Sequence, residues 1–166
     1  MSRKPFTVLL SCLCVSLVGC AGLIFKKNQD DIAGAIEKIP VSKARFLLYS
    51  LDPHDQQIAG KIAARTFHGY SVLGTVEIVP EEKKRHLLEA FADGVRKSGD
   101  MSMLCFEPRL GLAVIGESFT NDFVICYSCL QVKAYGFNPS EGFLTSSSPS
   151  VLFNGIFDKY GIKRSE

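Results

Sequence analysis

Apolar residues recur along the chain with two different periods, and each change of period marks an element. From Asp30 to Ile39, residues Ile32, Ala35, Ile36 and Ile39 fall at helical spacing, which predicts a short amphipathic helix ended by Pro40. Arg45 to Leu51 reads as a buried strand closed by Asp52-Pro53. The stretch from Pro53 to His68 is polar, and Ile58, Ile62 and Ala63 suit one helical turn or two around Gly60. Tyr70 to Val79 predicts a second strand, built on Val72, Thr75, Val76 and Ile78, with Gly74 marking a bulge or a close backbone approach.

The clearest helix runs from Pro80 to Ser98. Leu87, Leu88, Phe91 and Val95 form one apolar stripe. Pro80 suits the first helical position, Glu81 and Glu82 sit at the positive end of the dipole, and Arg96 and Lys97 at the negative end. Gly99 is a natural stop.

Leu104 to Ala134 follows, with two strongly apolar runs separated by the polar break from Gly116 to Asn121. This predicts one long β-hairpin, about 103–134, at the centre of the fold. Phe137 to Pro149 is loop-like, with Gly142-Phe143-Leu144-Thr145 as a short edge strand. Ser148-Pro149 opens a last helix as cap and first position, with Leu152, Phe153, Ile156 and Tyr160 facing inward and Gly161 ending it. Strands and helices without regular βαβ alternation predict an α+β fold, a mainly antiparallel sheet with helices on one face.

The N-terminus breaks this pattern. Arg3 and Lys4 precede an apolar run from Phe6 to Val18, too short for a comfortable membrane span of about 20 residues. This is the layout of a secretory signal peptide. The run ends in Leu17-Val18-Gly19-Cys20, which resembles the lipobox of bacterial lipoproteins over about the first 20 residues. The resemblance implies that the Cys20 thiol takes a thioether-linked diacylglycerol. Cleavage before Cys20 then frees its amine for an acyl chain such as palmitate. Residues 1–19 become the signal peptide, 20–40 the anchor, tether and short helix, and 41–166 one α+β domain. Multiple acyl chains hold a protein on a membrane without spanning it, and the apolar Leu23-Ile24-Phe25 suits the lipid surface. Ala21 stands where Asp would retain a lipoprotein in the inner membrane, so the resemblance implies an outer-membrane site facing the periplasm in a Gram-negative host. The plain alternative is an ordinary cleaved signal with a chance cysteine.

Cleavage takes 19 of the 166 residues and leaves 147, enough for one sizeable core. It removes two of the 19 basic residues and none of the 17 acidic ones, so the remainder balances at 17 against 17. Neither that balance nor any basic stripe points to nucleic acid.

Of the six cysteines, Cys12 and Cys14 leave with the signal and Cys20 takes lipid, which leaves Cys105, Cys126 and Cys129. Cys126-x-x-Cys129 invites a redox reading, but thioredoxin-like pairs sit at a helix N-terminus. Here apolar strand sequence flanks the pair. In a regular strand, residues three apart point to opposite faces, so these two bridge only across a bulge or turn at Tyr127-Ser128. A metal reading takes the three thiolates with His54, His68 or His86 as fourth ligand. The plain reading is a disulfide between two of the three, for instance Cys105 across the hairpin to Cys129 after a bulge near Pro108 or Gly111, with the third cysteine a small buried hydrophobe. Three buried free thiols remain as well.

Other candidates are Arg109 as an anion-binding cation or a partner of Glu107, and Asp52-Pro53-His54-Asp55 as metal-friendly side chains in an ordinary polar turn. Ser146 to Ser148 has no nucleophile-elbow context, and no phosphate-loop or dinucleotide fingerprint occurs. Cys105, Phe106, Pro108, Arg109 and Gly111, followed by Ile125, Cys126 and Cys129, resemble the Cys-Phe-x-Pro-Arg-x-Gly and Ile-Cys-x-x-Cys segments of a group of small bacterial proteins. The likeness covers about Tyr70 to Ile162. That group often has His between the Arg and the Gly, where this chain has Leu110, which weakens a metal or enzyme reading. No activity comes with the resemblance.

The expected function is a lipid-anchored envelope protein whose domain binds an envelope protein partner or has a structural role, without catalysis and without a cofactor beyond the lipid. A thiol-dependent metal or redox site is the main alternative, and a lipoprotein immunity factor a third.

Overall fold

The computed structural model describes residues 28–56, 65–138 and 142–165. The expected turn at Ile58, Ile62 and Ala63, the expected signal peptide over residues 1–19, Cys20 and the Leu23-Ile24-Phe25 patch lie outside the described residues. The fold is α+β. Three helices, α1 (residues 28–37), α2 (Glu81–Arg96) and α3 (Ser150–Lys159), accompany seven strands. The strands are β1 (Arg45–Gln56), β2 (Thr66–Phe67), β3 (Tyr70–Ile78), β4 (Leu110–Ile115), β5 (Thr120–Cys126), β6 (Gln131–Tyr135) and β7 (Phe143–Leu144). They form one antiparallel sheet in the order β2-β3-β1-β4-β5-β6-β7, curled into a half-barrel.

The helices share one face of the sheet. Ile32, Ala33 and Ile36 of α1, Leu87, Leu88, Phe91 and Val95 of α2, and Phe153 and Phe157 of α3 join sheet residues such as Phe46, Leu112 and Phe123 in the main core. The short helix thus belongs to the core of the domain. On α3 the buried stripe is Phe153 and Phe157, whereas Tyr160, expected inside, is half exposed at the helix end. Of the expected stripe Phe153 is buried and Ile156 packs against the core, and Phe157 joins them. A buried lysine fastens α2 to the chain before β1: Lys84 Nζ donates to the carbonyl of Ala44 at 2.7 Å, which meets the demand a buried ammonium makes for partners.

Two strand expectations change. β1 does not close at Asp52-Pro53 but continues to Gln56. Its pairing with β3 slips between Asp52 and Gln56, and a bulge is where a strand tolerates proline. The second arm of the central hairpin is two strands, β5 and β6, with a turn over residues 127–130 between them. The first arm starts at Leu110, and residues 101–109 run before it as a strap without regular secondary structure.

Gly74 fills both roles the sequence allowed. The β1–β3 register shifts beside it, and a Cβ there would meet Ile162 at 2.5 Å. The C-terminal chain crosses the sheet at this point, where Ser50 Oγ donates to the carbonyl of Lys163 at 2.7 Å.

Candidate functional site

Among the described residues no helix packs on the second face of the half-barrel. Leu51, Phe67, Ala113 and Val124 form a separate small core there, with Leu47, Tyr49, Tyr70, Val72, Phe106 and Ile115 against it. Phe67 and His68 come from the β2–β3 hairpin, whose two-residue turn is His68-Gly69 with φ of 48° and 88°. Two positive φ values in a two-residue loop match the twist of the flanking strands, and His is among the side chains that enter this region most readily.

The curl of the sheet brings this turn over β5 and β6. His68 Nε2 lies 2.8 Å from Asp122 Oδ2, and its ring stacks on Tyr135 at 3.8 Å between centroids. Asp122 and Tyr135 are paired across β5 and β6, so one cross-strand pair receives the imidazole. Phe67 stacks on Tyr49 at 4.4 Å and meets the His68 ring edge-on. Burial, and next the Asp122 charge, raise the Tyr49 phenol above its usual range. Burial likewise raises the Tyr70 phenol.

An imidazole held by a carboxylate is half of an acid–base dyad. Here the two side chains are 24% and 19% exposed, one ring face of the imidazole carries Tyr135, and Phe67 beside it fills the small core of the sheet's second face. The arrangement clasps the β2–β3 flap down. Sequence reasoning reached His68 only as a metal ligand and missed Asp122 and Tyr135 as its partners.

The cysteines are arranged differently from the expectation. Cys126 and Cys129 are bonded to each other, with their Cα atoms 5.1 Å apart. Residues three apart face opposite ways only in a continuous strand. The chain instead turns at Tyr127-Ser128, the one condition under which the two bridge. Leu130 completes the turn at φ 59°, and Thr145 N holds its carbonyl at 3.1 Å. Cys126 therefore has no bond to Cys105, and a Cys105–Cys129 staple does not form. Cys105 is free and exposed rather than a small buried hydrophobe. Tyr127 turns inward to face Phe153 at 5.8 Å, and burial pushes its phenol well above the usual range.

The strap before β4 runs along this turn. Met103 N donates to the carbonyl of Cys129 at 3.2 Å, and Glu107 N to Cys129 Sγ at 3.3 Å. Both half-cystines are 1% exposed, so an incoming thiolate has no line of attack on them. Spent on each other, they are not thiolate ligands. Among the described residues no three His, Cys, Asp or Glu side chains group to hold a metal.

The remaining candidates scatter. His54 N donates to Asp52 Oδ1 at 3.0 Å in a local turn of β1, and His86 lines a cleft between α2 and α3. Arg109 is half-buried, and its carbonyl accepts from Leu51 N at 3.1 Å. Ser146 and Ser148 share a hydrogen bond at 2.9 Å in the loop before α3. The Asp55 side chain lies outside the described residues.

The thiol arrangement is directly measurable. Among the cysteines of the described residues, alkylation of the native, non-reduced protein should modify one, Cys105, and two more should react only after reduction and unfolding. Three reactive thiols without reductant would refute the Cys126–Cys129 bridge.

No family model, no curated protein and no solved structure matches this chain.

Proposed function

We propose that this protein is a lipid-anchored bacterial envelope protein, and that its half-barrel domain binds an envelope partner or has a structural role rather than a catalytic one. One observation carries the anchor: Leu17-Val18-Gly19-Cys20 directly after the apolar run of the leader. The bridge between Cys126 and Cys129 supports the same compartment from the other end of the chain, since disulfides persist outside the reducing cytoplasm. Among the described residues no helix is long and apolar enough to cross a membrane.

The non-catalytic reading rests on how the two candidate centres are filled. The flap covers the second face with Phe67, and the bridged cysteines are buried. The cross-linked turn and the clasped flap are both means of holding a surface rigid, and a rigid surface loses little entropy when a partner docks.

Cys20→Ser tests the anchor. In a bacterial host the native protein should sediment with membranes and resist high salt, and its N-terminal peptide should begin at Cys20 with the mass of the attached lipid. The variant should lose that lipid mass and most of its membrane-bound fraction. Undiminished, lipid-free anchoring of the variant would overturn the reading.

A further inference from the structure

The strap beside the disulfide turn presents an apolar tip. Met101 is 80% exposed, Met103 56%, and Leu104 fully exposed. Exposed apolar side chains are ordinary when scattered, but these three fall within four consecutive residues and are held in place. Met103 N donates to the carbonyl of Cys129, and the carbonyl of Met103 accepts from Gln131 Nε2. The tip therefore stands on the cross-linked turn, with both backbone polar groups of Met103 hydrogen-bonded to it.

Its position relates it to the anchor. Asn28 and Gln29, where α1 is first described, line one cleft with Ser102 and Lys133. The described chain thus begins beside the tip. Eight peptide steps separate Cys20 from Asn28, a reach of about 28 Å at full extension. Within that reach the domain can rest this edge on the lipid surface. The other exposed apolar group, Val79, Val151 and Tyr160, lies around the N-terminal end of α2, about 24 Å along the helix from the end that leads into the strap.

We propose that Met101, Met103 and Leu104 form a second membrane contact, a lipid-inserting tip that fixes the orientation of the anchored domain. The proposal rests on the lipoprotein reading and adds a surface and a partner to it, the acyl region of the anchoring leaflet. Met101, Ser102, Met103 and Leu104 carry no charge themselves, with Asp100 directly before them, and methionine adapts to irregular apolar surroundings such as lipid chains. The attraction is therefore apolar rather than electrostatic and should change little with salt.

Cys105, free and exposed next to the tip, is a native reporter. The lipidated mature protein, with an environment-sensitive fluorophore on Cys105, is reconstituted into vesicles of phosphatidylethanolamine and phosphatidylglycerol that contain a doxyl-labelled phospholipid. The fluorophore should shift to the blue and be quenched by the doxyl groups. A second protein, Cys105→Ser with Val151→Cys labelled instead, should show neither effect. Replacing Met101, Met103 and Leu104 together with serine should leave vesicle flotation unchanged and abolish quenching at Cys105. Flotation and lipid mass report the anchor separately, so a protein without lipid fails there and refutes the lipoprotein reading. A floating protein with Cys105 unquenched, with Val151→Cys quenched in its place, or with quenching retained in the triple serine variant overturns the tip proposal alone. So does efficient Cys105–Cys105 cross-linking without quenching, which would assign the tip to a second copy of the chain.

Discussion

Phe91→Ala should lower the stability of the domain by about 3–5 kcal/mol, the range for removing a buried aromatic ring whose site cannot collapse. Phe91 is fully buried on α2. Its ring meets Phe123 of β5 edge-on at 5.2 Å, Phe143 of β7 at 6.1 Å and Phe153 of α3 at 6.5 Å. Aromatic pairs in such geometries add to the burial of each ring. Four elements distant in the chain thus share one side chain, and no single neighbour can move in to fill the space without leaving another gap. Domains of this size are stable by only about 5–15 kcal/mol, so the variant should be close to unfolding at 37 °C. Urea denaturation should give a lower midpoint with an unchanged slope. Leu104→Ala, at a fully exposed position, should stay within about 0.5 kcal/mol of the native protein. A loss below about 1 kcal/mol for Phe91→Ala would mean that the helices do not pack on the sheet as described.

The stripe that carries this effect was legible in the chain. Leu87, Leu88, Phe91 and Val95 repeat at the helical period between a proline and a glycine, and nothing in their neighbourhood competes with a helix. The antiparallel α+β class and the helices on one face also follow from local pattern. The split of the hairpin does not. Its turn falls on Tyr127-Ser128-Cys129-Leu130, without glycine or proline, and the left-handed position is taken by Leu130. A leucine there is held by tertiary contacts and the cross-link, so no local propensity marks it. Once the turn exists, Cys126 and Cys129 face each other. On α3 the difference lies at the helix end: Phe157, not Tyr160, continues the stripe from Phe153, because the helix ends in solvent before Tyr160 can be covered.

The flap lies between these cases. Thr66-Phe67-His68-Gly69-Tyr70 holds a two-residue turn signal, His-Gly in the place where Asn-Gly is commonest. The turn was open to a local reading. Its destination was not, because Asp122 is 54 residues away from His68 and no periodicity links them. The sheet has to curl before the two can meet.

Gly111→Val should release that flap, at a cost of about 1–3 kcal/mol for overpacking. Gly111 lies on β4 between Tyr49 of β1 and Val124 of β5. A Cβ there would stand 2.6 Å from a Phe67 ring carbon and 3.3 Å from Tyr49 Cβ. Tyr49 is fixed by the β1–β4 ladder, whereas Phe67 sits on a two-residue edge strand, so Phe67 is the side chain that gives way. Its departure breaks the stack on Tyr49 and pulls His68 from Asp122 and Tyr135. Phe67→Ala alone should cost about 3 kcal/mol, at the low end for a buried aromatic ring because this core is small. The two losses should not add. With Phe67 already absent, valine at 111 enters the space the ring left, and the double variant should be more stable than the sum of the single effects by about 2 kcal/mol, within the range for residues in contact. Strict additivity in urea denaturation would show that Phe67 does not cover Gly111, and the second face would then be open to a ligand after all. Non-additivity would mean that glycine at 111 makes room for the flap, and that this face is occupied by the chain itself.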